Sequence, residues 1–359
     1  MLIEQLRIEH FRNIQHAEIE PGPGLNLITG LNAAGKTSLL EAIDCLSRGR
    51  SFRTRKTRSL LSHGRDRCVL VARLRTAMGS GVVLGMERSP QQTRMRMNGR
   101  AVDSVAEFAA ALPVLCMHPQ SHALIEGGPA YRRGFLDWGV FHVEPGFLGS
   151  WQRYQRALRQ RNRSLRDPEA RRMIPAWDRE LSEAAAAIDR ARGAYMEEYR
   201  PMLARCVDRL LPTGDLELRY ERGWPVDREL ATVLQGDCEG DRRQGHTRSG
   251  PHRADLRIRL RGHPAAEVAS RGQQKLIVAA MLLAQIEQFA RHRGESCAFL
   301  VDDLPSELDA VYRGRFMDAL AGLEVQVFVT AIEAGGFALG DWSARKVFHV
   351  KQGCVEELV

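Results

Sequence analysis

Long apolar runs are missing from this chain. The longest proline-free apolar stretch, residues 276–284, covers nine positions, far short of the roughly 20 that a membrane-crossing helix needs. The first turns carry Glu4 and Glu9 and no extended apolar segment, so they do not read as a secretory signal; the expectation is a cytoplasmic protein with no membrane partner. Paired cysteines are missing too. The seven cysteines (45, 68, 116, 206, 238, 297 and 354) are odd in number and scattered, with no C-x-x-C among them, which argues against a disulfide framework and a zinc site. No internal repeat, low-complexity tract or long heptad pattern is visible.

Lysine is also scarce. It fills five of the 52 basic positions, so the formal charge of +8 and the pI near 9.4 rest on arginine. Arginine presents a planar fork suited to phosphate, and a basic excess is compatible with nucleic-acid binding; a GC-rich coding preference produces the same excess. A length of 359 residues suggests about two domains, and 44% hydrophobic residues supply ample core and exclude wholesale disorder.

The first 29 residues alternate apolar and polar positions around the turn Pro21-Gly22-Pro23-Gly24 and predict two strands leading into a glycine-rich loop. Short β-like runs between 69 and 97 predict a β-rich lobe. From 130 to 211 the pattern is helical, punctuated by Pro145, Pro168, Pro175 and Pro201, any of which can start or end a helix. Alternation resumes at Leu256, Ile258 and Leu260. The expected organisation is a body made of 1–118 and 245–359, with a helical arm, 119–244, inserted between them.

Gly30-Leu31-Asn32-Ala33-Ala34-Gly35-Lys36-Thr37 fits G-x-x-x-x-G-K-[ST], follows an apolar strand and opens an amphipathic run from Ser38. Glycines at 30 and 35 let backbone N–H groups face phosphate oxygens at a helix N-terminus, so the nucleotide-binding residues run from Gly30 through Thr37 to Ser38. Lys36 is placed for the β- and γ-phosphates of ATP, and the Thr37 hydroxyl for a Mg²⁺ shell. A second apolar strand, 297–301, ends in Asp302-Asp303. Two carboxylates where a buried strand surfaces suit a magnesium ligand, Asp302, and a base for the attacking water, Asp303. Ser270-Arg271-Gly272-Gln273-Gln274 precedes a long helix, Ser270 being able to act as its N-cap. The P-loop, this S-x-G-Q segment, the Asp pair and Ser306-Glu307-Leu308-Asp309 stand in the chain order of ABC-class ATPases. In that class the signature of one subunit caps the nucleotide of another, which places Ser270, Gly272 and Gln273 at a neighbour's nucleotide and implies dimerisation.

The chain closely resembles the RecF family of bacterial recombination-repair ATPases over nearly its whole length. The resemblance is carried by Phe11-Arg12-Asn13, Ser51-Phe52-Arg53, Arg132-Arg133 with Phe135-Leu136-Asp137, Gln160-Arg161-Asn162, Gly250-Pro251-His252-Arg253 with Asp255-Leu256, the signature segment and the acidic strand end. It implies an α/β fold: an ABC-type P-loop ATPase head, similar to SMC heads, with a β-rich lobe and an inserted α-helical arm domain. It also implies a weak ATPase that forms an ATP-dependent homodimer and binds single-stranded and gapped double-stranded DNA and junctions. With the partners RecO and RecR it helps load RecA, serving DNA repair, replication, recombination and the SOS response. One segment departs from the family pattern: Pro119-Gln120-Ser121-His122 replaces a proline followed by acids, at the point where a Q-loop residue would be Gln120. After the strand 325–329 the family pattern leads to Thr, and Thr330 is there where a transporter would carry a switch histidine.

Between Trp151 and Arg172 lie eight arginines against two acids. Arg153, Arg156, Arg159 and Arg163 fall near one helical face, a candidate DNA contact or simply a solvated face; Arg53 and Arg55, with Lys56 and Arg58, form a second candidate. His252 fits either a structural turn or an interface role. Competing readings are a transporter ATPase subunit, which the missing switch histidine disfavours, a chromosome-organising protein, for which the arm is too short, and a small-molecule kinase, which leaves Ser270–Gln273 unexplained.

Overall fold

The computed structural model describes residues 1–54, 56–76, 79–211, 215–333 and 342–358. Contacts divide the chain into two units, 1–121 with 275–359, and 122–274. In the first unit the N-terminal alternation resolves into a hairpin, Leu2–Phe11 with Ile14–Ile19, before the P-loop strand Leu25–Thr29. That is one strand more than the apolar pattern predicts. Arg12 makes the extra turn possible by adopting a left-handed backbone, φ 56°.

The hairpin opens a six-stranded antiparallel sheet whose spatial order is Ile14–Ile19, Leu2–Phe11, Cys68–Arg75, Gly81–Arg88, Thr93–Met97 and Arg100–Val102. This is the β-rich lobe. The second sheet runs Cys354–Leu358, Arg345–Lys351, Leu25–Thr29, Gln326–Thr330, Ala298–Val301 and Val114–Met117; its last five strands are parallel. Leu25–Thr29, Gln326–Thr330 and Ala298–Val301 are buried at every position, as strands covered on both faces must be. Between the sheets lies the helix Lys36–Arg48, in which Ser38 through Ser47 are all buried, and one hydrophobic cluster joins it to both. Gln326 fastens the sheets together, its side chain accepting from Ile3 N (2.8 Å) and donating to Ile3 O and Gly22 O, both at 2.9 Å.

The second unit packs the helices Pro129–Val143, Phe147–Arg166, Ile174–Leu210 and Leu230–Gln244 with a small antiparallel sheet. Two expectations change here. Pro201 breaks nothing: it lies inside one 37-residue helix, Ile174–Leu210. Burial of Tyr199, Met202, Leu203 and Val207 around it outweighs the roughly 3 kcal/mol an interior proline costs. The strand Asp255–Leu260, expected to follow re-entry into the body at 245, pairs instead with Leu216–Glu221 inside the second unit, whose boundary falls at 274.

The interior of this unit is held by charge. Arg161 is fully buried; it pairs with Asp178, donates to Asp241 (2.7 Å) and Thr247 (2.8 Å), and reaches the Leu234 carbonyl. Arg192, also fully buried, forks onto Asp137 and donates to Pro251 O. Arg132 forks onto Asp255. His252 belongs to the same interior: Nε2 lies 3.1 Å from Thr247 O and must donate to it, so Nδ1 accepts from the Tyr154 hydroxyl at 2.5 Å. Among the described residues no helix is long and apolar enough to cross a membrane.

Arg161→Met should cost about 3–5 kcal/mol in urea unfolding, because it strands buried carboxylates. Burial already raises the Asp178 pKa, and Arg161 opposes the rise. Its loss lifts that pKa further, so the penalty shrinks as pH falls and the carboxyl protonates. Burial depresses the His252 pKa to about 4. A histidine kept neutral in the fold binds its proton only on unfolding, so stability should fall between about pH 6.5 and pH 4, by at most about 3 kcal/mol. His252→Gln should flatten that part of the unfolding profile.

Candidate functional site

The loop at 30–37 needs its glycines. A Cβ on Gly30 (φ 145°) would stand 2.3 Å from the Val350 carbonyl oxygen, and one on Gly35 (φ 124°) would meet the Asn13 amide at 3.0 Å. Gly35 precedes the helix Lys36–Arg48 without a side-chain cap. The first N–H groups of a helix lack partners within it, and together with the helix dipole they suit an anion. Lys36 folds back onto the loop, Nζ donating to Gly30 O (2.6 Å) and Leu31 O (3.0 Å). Burial lowers its pKa, while the nearby Asp303 and Asp302 oppose the shift.

The two acidic residues sit where the strand Ala298–Val301 ends, in parallel register with Val114–Met117 on one side and Gln326–Thr330 on the other. Asp302 N donates to Met117 O at 2.8 Å. The Thr37 hydroxyl donates to Asp302 Oδ1 at 2.8 Å, and the Thr330 hydroxyl donates to the same oxygen at 2.9 Å. Thr330 Oγ1 in turn accepts from Asp303 N at 2.7 Å. Burial raises the Asp302 pKa, and the two threonine hydrogen bonds pull it back. Asp303 adopts a left-handed backbone, φ 57°, a region that non-glycine residues enter seldom and asparagine and aspartate most readily; its carbonyl accepts from Ser306 N and Glu307 N, closing the next helical turn.

Behind the loop stands a polar brace. Asn13 Nδ2 donates to Ala34 O (3.0 Å) and Ala33 O (3.2 Å), and its oxygen accepts from the Ser38 hydroxyl (2.9 Å). Ser38, placed with the phosphate-binding residues by the sequence, is buried and turned to Asn13. Glu41, on the same helix, is fully buried; Arg12 forks onto it at 2.6 and 2.9 Å, Ser51 donates to it, and Arg53 lies 3.6 Å away. Thr330, Asn13 and Glu41 hold the acidic strand end, the loop and the phosphate-binding helix by contacts to which sequence reasoning gave no role. Asn13 was visible as part of Phe11-Arg12-Asn13, and Thr330 as a polar residue ending a buried strand.

The signature segment belongs to the second unit. Ser270 and Gln273 cap each other, Ser270 N donating to Gln273 Oε1 (2.9 Å) and Gln273 N to Ser270 Oγ (3.3 Å), the reciprocal arrangement of a capping box; Gly272 is exposed. In the first unit Asp309 caps the helix Ala310–Ala321 by accepting from Val311 N and Tyr312 N.

The structure separates the arginine candidates. Arg156, Arg159 and Arg163 are exposed on the helix Phe147–Arg166. Arg153 is tied to Glu180 and Glu183 of the neighbouring helix. Arg53 is engaged with Glu41, and Arg55 lies outside the described residues. No group of three or more His, Cys, Asp or Glu among the described residues could hold a metal. Thr37 with Asp302 is a pair of a different kind, one hydroxyl and one carboxylate side by side, which can complete an octahedral hard-cation shell only together with phosphate oxygens and water.

The family described as the RecF/RecN/SMC N terminal domain matches residues 2–356. DNA replication and repair protein RecF of Thioalkalivibrio sulfidiphilus is 44% identical over 354 residues, covering 98% of each chain. That of Pseudomonas fluorescens is 41% identical over 362 residues, covering 99% of this chain and 98% of its own. A solved structure of the recombination mediator protein RecF with ATP, in the RecFOR pathway, superposes with a TM-score of 0.88 at 26% identity, covering 99% of this chain and 97% of that one. An Smc head domain from Pyrococcus furiosus, 15% identical with a TM-score of 0.62 and covering 99% of this chain and 95% of that one, shares the fold. Matched by the family along 2–356 and by relatives 41–44% identical from end to end, the chain belongs to the RecF family of DNA replication and repair proteins.

Proposed function

We propose that this chain is a cytoplasmic recombination mediator of the RecFOR type, in which ATP binding at 30–37 gates dimerisation and DNA binding and slow hydrolysis resets the complex. The observation that carries the reading is the hydrogen-bonded line from Thr37 through Asp302 to Thr330. It joins the phosphate-binding loop to the acidic strand end with no other side chain between them. The RecF structure with ATP supports the choice of nucleotide.

In this reading Lys36 exchanges the carbonyls of Gly30 and Leu31 for the β- and γ-phosphates, and N–H groups of the loop up to Ser38, apart from those of Gly30 and Ala34, which donate to Ile332 O and Leu31 O, surround the phosphate chain. Thr37 and Asp302 are the residues that would hold Mg²⁺, and their adjacency fits that cation. When bound, the ion neutralises phosphate charge and orients the terminal group. Asp303 is the base for the attacking water, its carboxylate set by the left-handed backbone and by the Thr330 hydrogen bond to its N–H. Ser270, Gly272 and Gln273 of one subunit close over the nucleotide of a second. DNA, single-stranded or gapped double-stranded, meets the exposed face of Arg156, Arg159 and Arg163; Arg153 serves the arm's own ion pairs. RecO and RecR are the expected protein partners in loading RecA and in SOS induction.

Fluorescence anisotropy of labelled gapped duplex at fixed salt, with and without ATP and Mg²⁺, tests the gating. Binding should tighten with ATP; equal binding in both conditions contradicts it. Lys36→Met should weaken ATP binding about 10–100-fold and abolish the ATP-dependent dimer seen in sedimentation velocity. Asp303→Asn should keep ATP binding and accumulate the dimer, and hydrolysis at the wild-type rate would remove Asp303 from the base role. Replacing Arg156, Arg159 and Arg163 together by Glu should lower the salt slope of DNA binding by about 0.9 for each phosphate that is no longer neutralised. An unchanged slope would place the DNA elsewhere.

A further inference from the structure

Beside the β-rich lobe lies a cleft that the nucleotide chemistry does not use. It has a volume of about 660 Å³ and is lined by Arg58, by residues 61–66, and by Pro90 and Gln91. Three short segments form its walls. Arg58 comes from the 3₁₀ turn Thr57–Leu60. His63, Arg65 and Asp66 come from a turn that Arg65 N closes by donating to Ser62 O at 3.0 Å; Gly64 takes the left-handed position that such a turn gives to glycine, φ 74°. Pro90 and Gln91 lie at the tip of the hairpin that joins Gly81–Arg88 to Thr93–Met97.

The walls are tied to the lobe and to one another. Arg88, at the base of the hairpin tip, donates to Gly49 O at 2.8 Å and to Thr57 Oγ1 at 3.1 Å, which fastens the Arg58 wall. Ser62 N donates to His10 O at 2.9 Å and Arg12 N to Leu60 O at 2.8 Å, which fastens the turn to the end of the strand Leu2–Phe11.

Charge sets this cleft apart. Four arginines elsewhere in the lobe have acidic partners: Arg7 with Glu9, Arg75 with Glu4, and Arg67 and Arg94 with Glu87. Arg58, His63 and Arg65 are exposed and pair with no acid among the described residues, although Asp66 lines the same cleft. The N–H groups of His63, Gly64 and Asp66 likewise donate to no described residue. Two guanidinium forks, an imidazole and three backbone donors thus stand around one cavity, with a single carboxylate against them. That donor set suits phosphate oxygens.

We propose that this cleft binds the phosphodiester backbone of DNA, in addition to the face of Arg156, Arg159 and Arg163. Arg58 and Arg65 are the phosphate ligands, and His63 and the turn N–H groups are further donors. The volume is that of a pocket for a small ligand, so what enters is a short stretch of backbone and not a duplex. The inference rests on the DNA-binding reading given above and adds a site in the first unit.

The test is anisotropy of a labelled gapped duplex, titrated over a range of salt with the full-length protein at fixed ATP and Mg²⁺. Arg58→Ala with Arg65→Ala should weaken binding about three- to tenfold and lower the salt slope by about 0.9 for each phosphate released, roughly 1.8 for both. Arg58→Lys with Arg65→Lys, which keeps the charge, should retain most of the slope. Asp66→Asn, which removes the opposing charge, should tighten binding about two- to threefold. All three positions are exposed, so thermal unfolding and binding of a fluorescent ATP analogue should match the wild type; these two readouts keep loss of contact apart from loss of fold. Wild-type DNA affinity and slope in the double alanine variant overturn the proposal. A variant that loses the ATP analogue while keeping DNA would make the cleft a site for free nucleotide and overturn it too. So would one that keeps DNA but no longer binds a labelled poly-glutamate peptide, which would assign the cleft to an acidic protein. A wild-type protein that binds no gapped duplex at any salt would instead overturn the DNA-binding reading, and this inference with it.

Discussion

One buried carboxylate organises the working end of the first unit. Asp302 emerges from a strand with no exposed residue and enters an environment that disfavours its charge. Two threonine hydroxyls, from opposite sides, are what it has in compensation. An isolated buried anion is expensive, so the positions of Thr37 and Thr330 are constrained as tightly as that of Asp302. Thr37 fixes the start of the helix Lys36–Arg48, and Thr330 fixes the backbone of Asp303. The P-loop, the acidic strand end and the next strand thus form one hydrogen-bonded object.

The same constraint explains why so many of the family-like motifs are polar yet engaged. Arg12, half-buried, neutralises Glu41 on the phosphate-binding helix, and Asn13, although exposed, turns its amide to the loop carbonyls. In the second unit Arg132 with Asp255, Asp137 with Arg192, and Arg161 with Asp178 and Asp241 bring together segments that look unrelated in the chain. Buried pairs of this kind add little net stability but penalise every arrangement that leaves one partner alone. They are suited to fixing a single geometry in a unit whose sheet is small.

The phosphate-binding loop was legible because its demands are local: two glycines with positive φ, a lysine, a hydroxyl and a helix start lie within eight residues. The β-rich lobe and the inserted helical segment were legible from periodicity. The pairing of Asp255–Leu260 with Leu216–Glu221 was not, since alternation marks a strand without naming its neighbour. Nor was the continuity of Ile174–Leu210 through Pro201, which depends on what packs against it. Counting arginines between 151 and 172 could not tell Arg161, at the centre of the core, from Arg159 on the surface. It also could not see that Arg153 is matched by Glu180 and Glu183 from another helix.

The central claim is that the charge of Asp302, held between two threonines, couples metal to nucleotide at this site. Calorimetric titration of Asp302→Asn with ATP, in the presence and absence of Mg²⁺, tests it most directly, because asparagine keeps an oxygen for both hydroxyls and removes only the charge. The account predicts that magnesium-free ATP binding is retained and that the additional affinity conferred by Mg²⁺ disappears. A variant whose ATP affinity still rises with Mg²⁺ as in the wild type would contradict it.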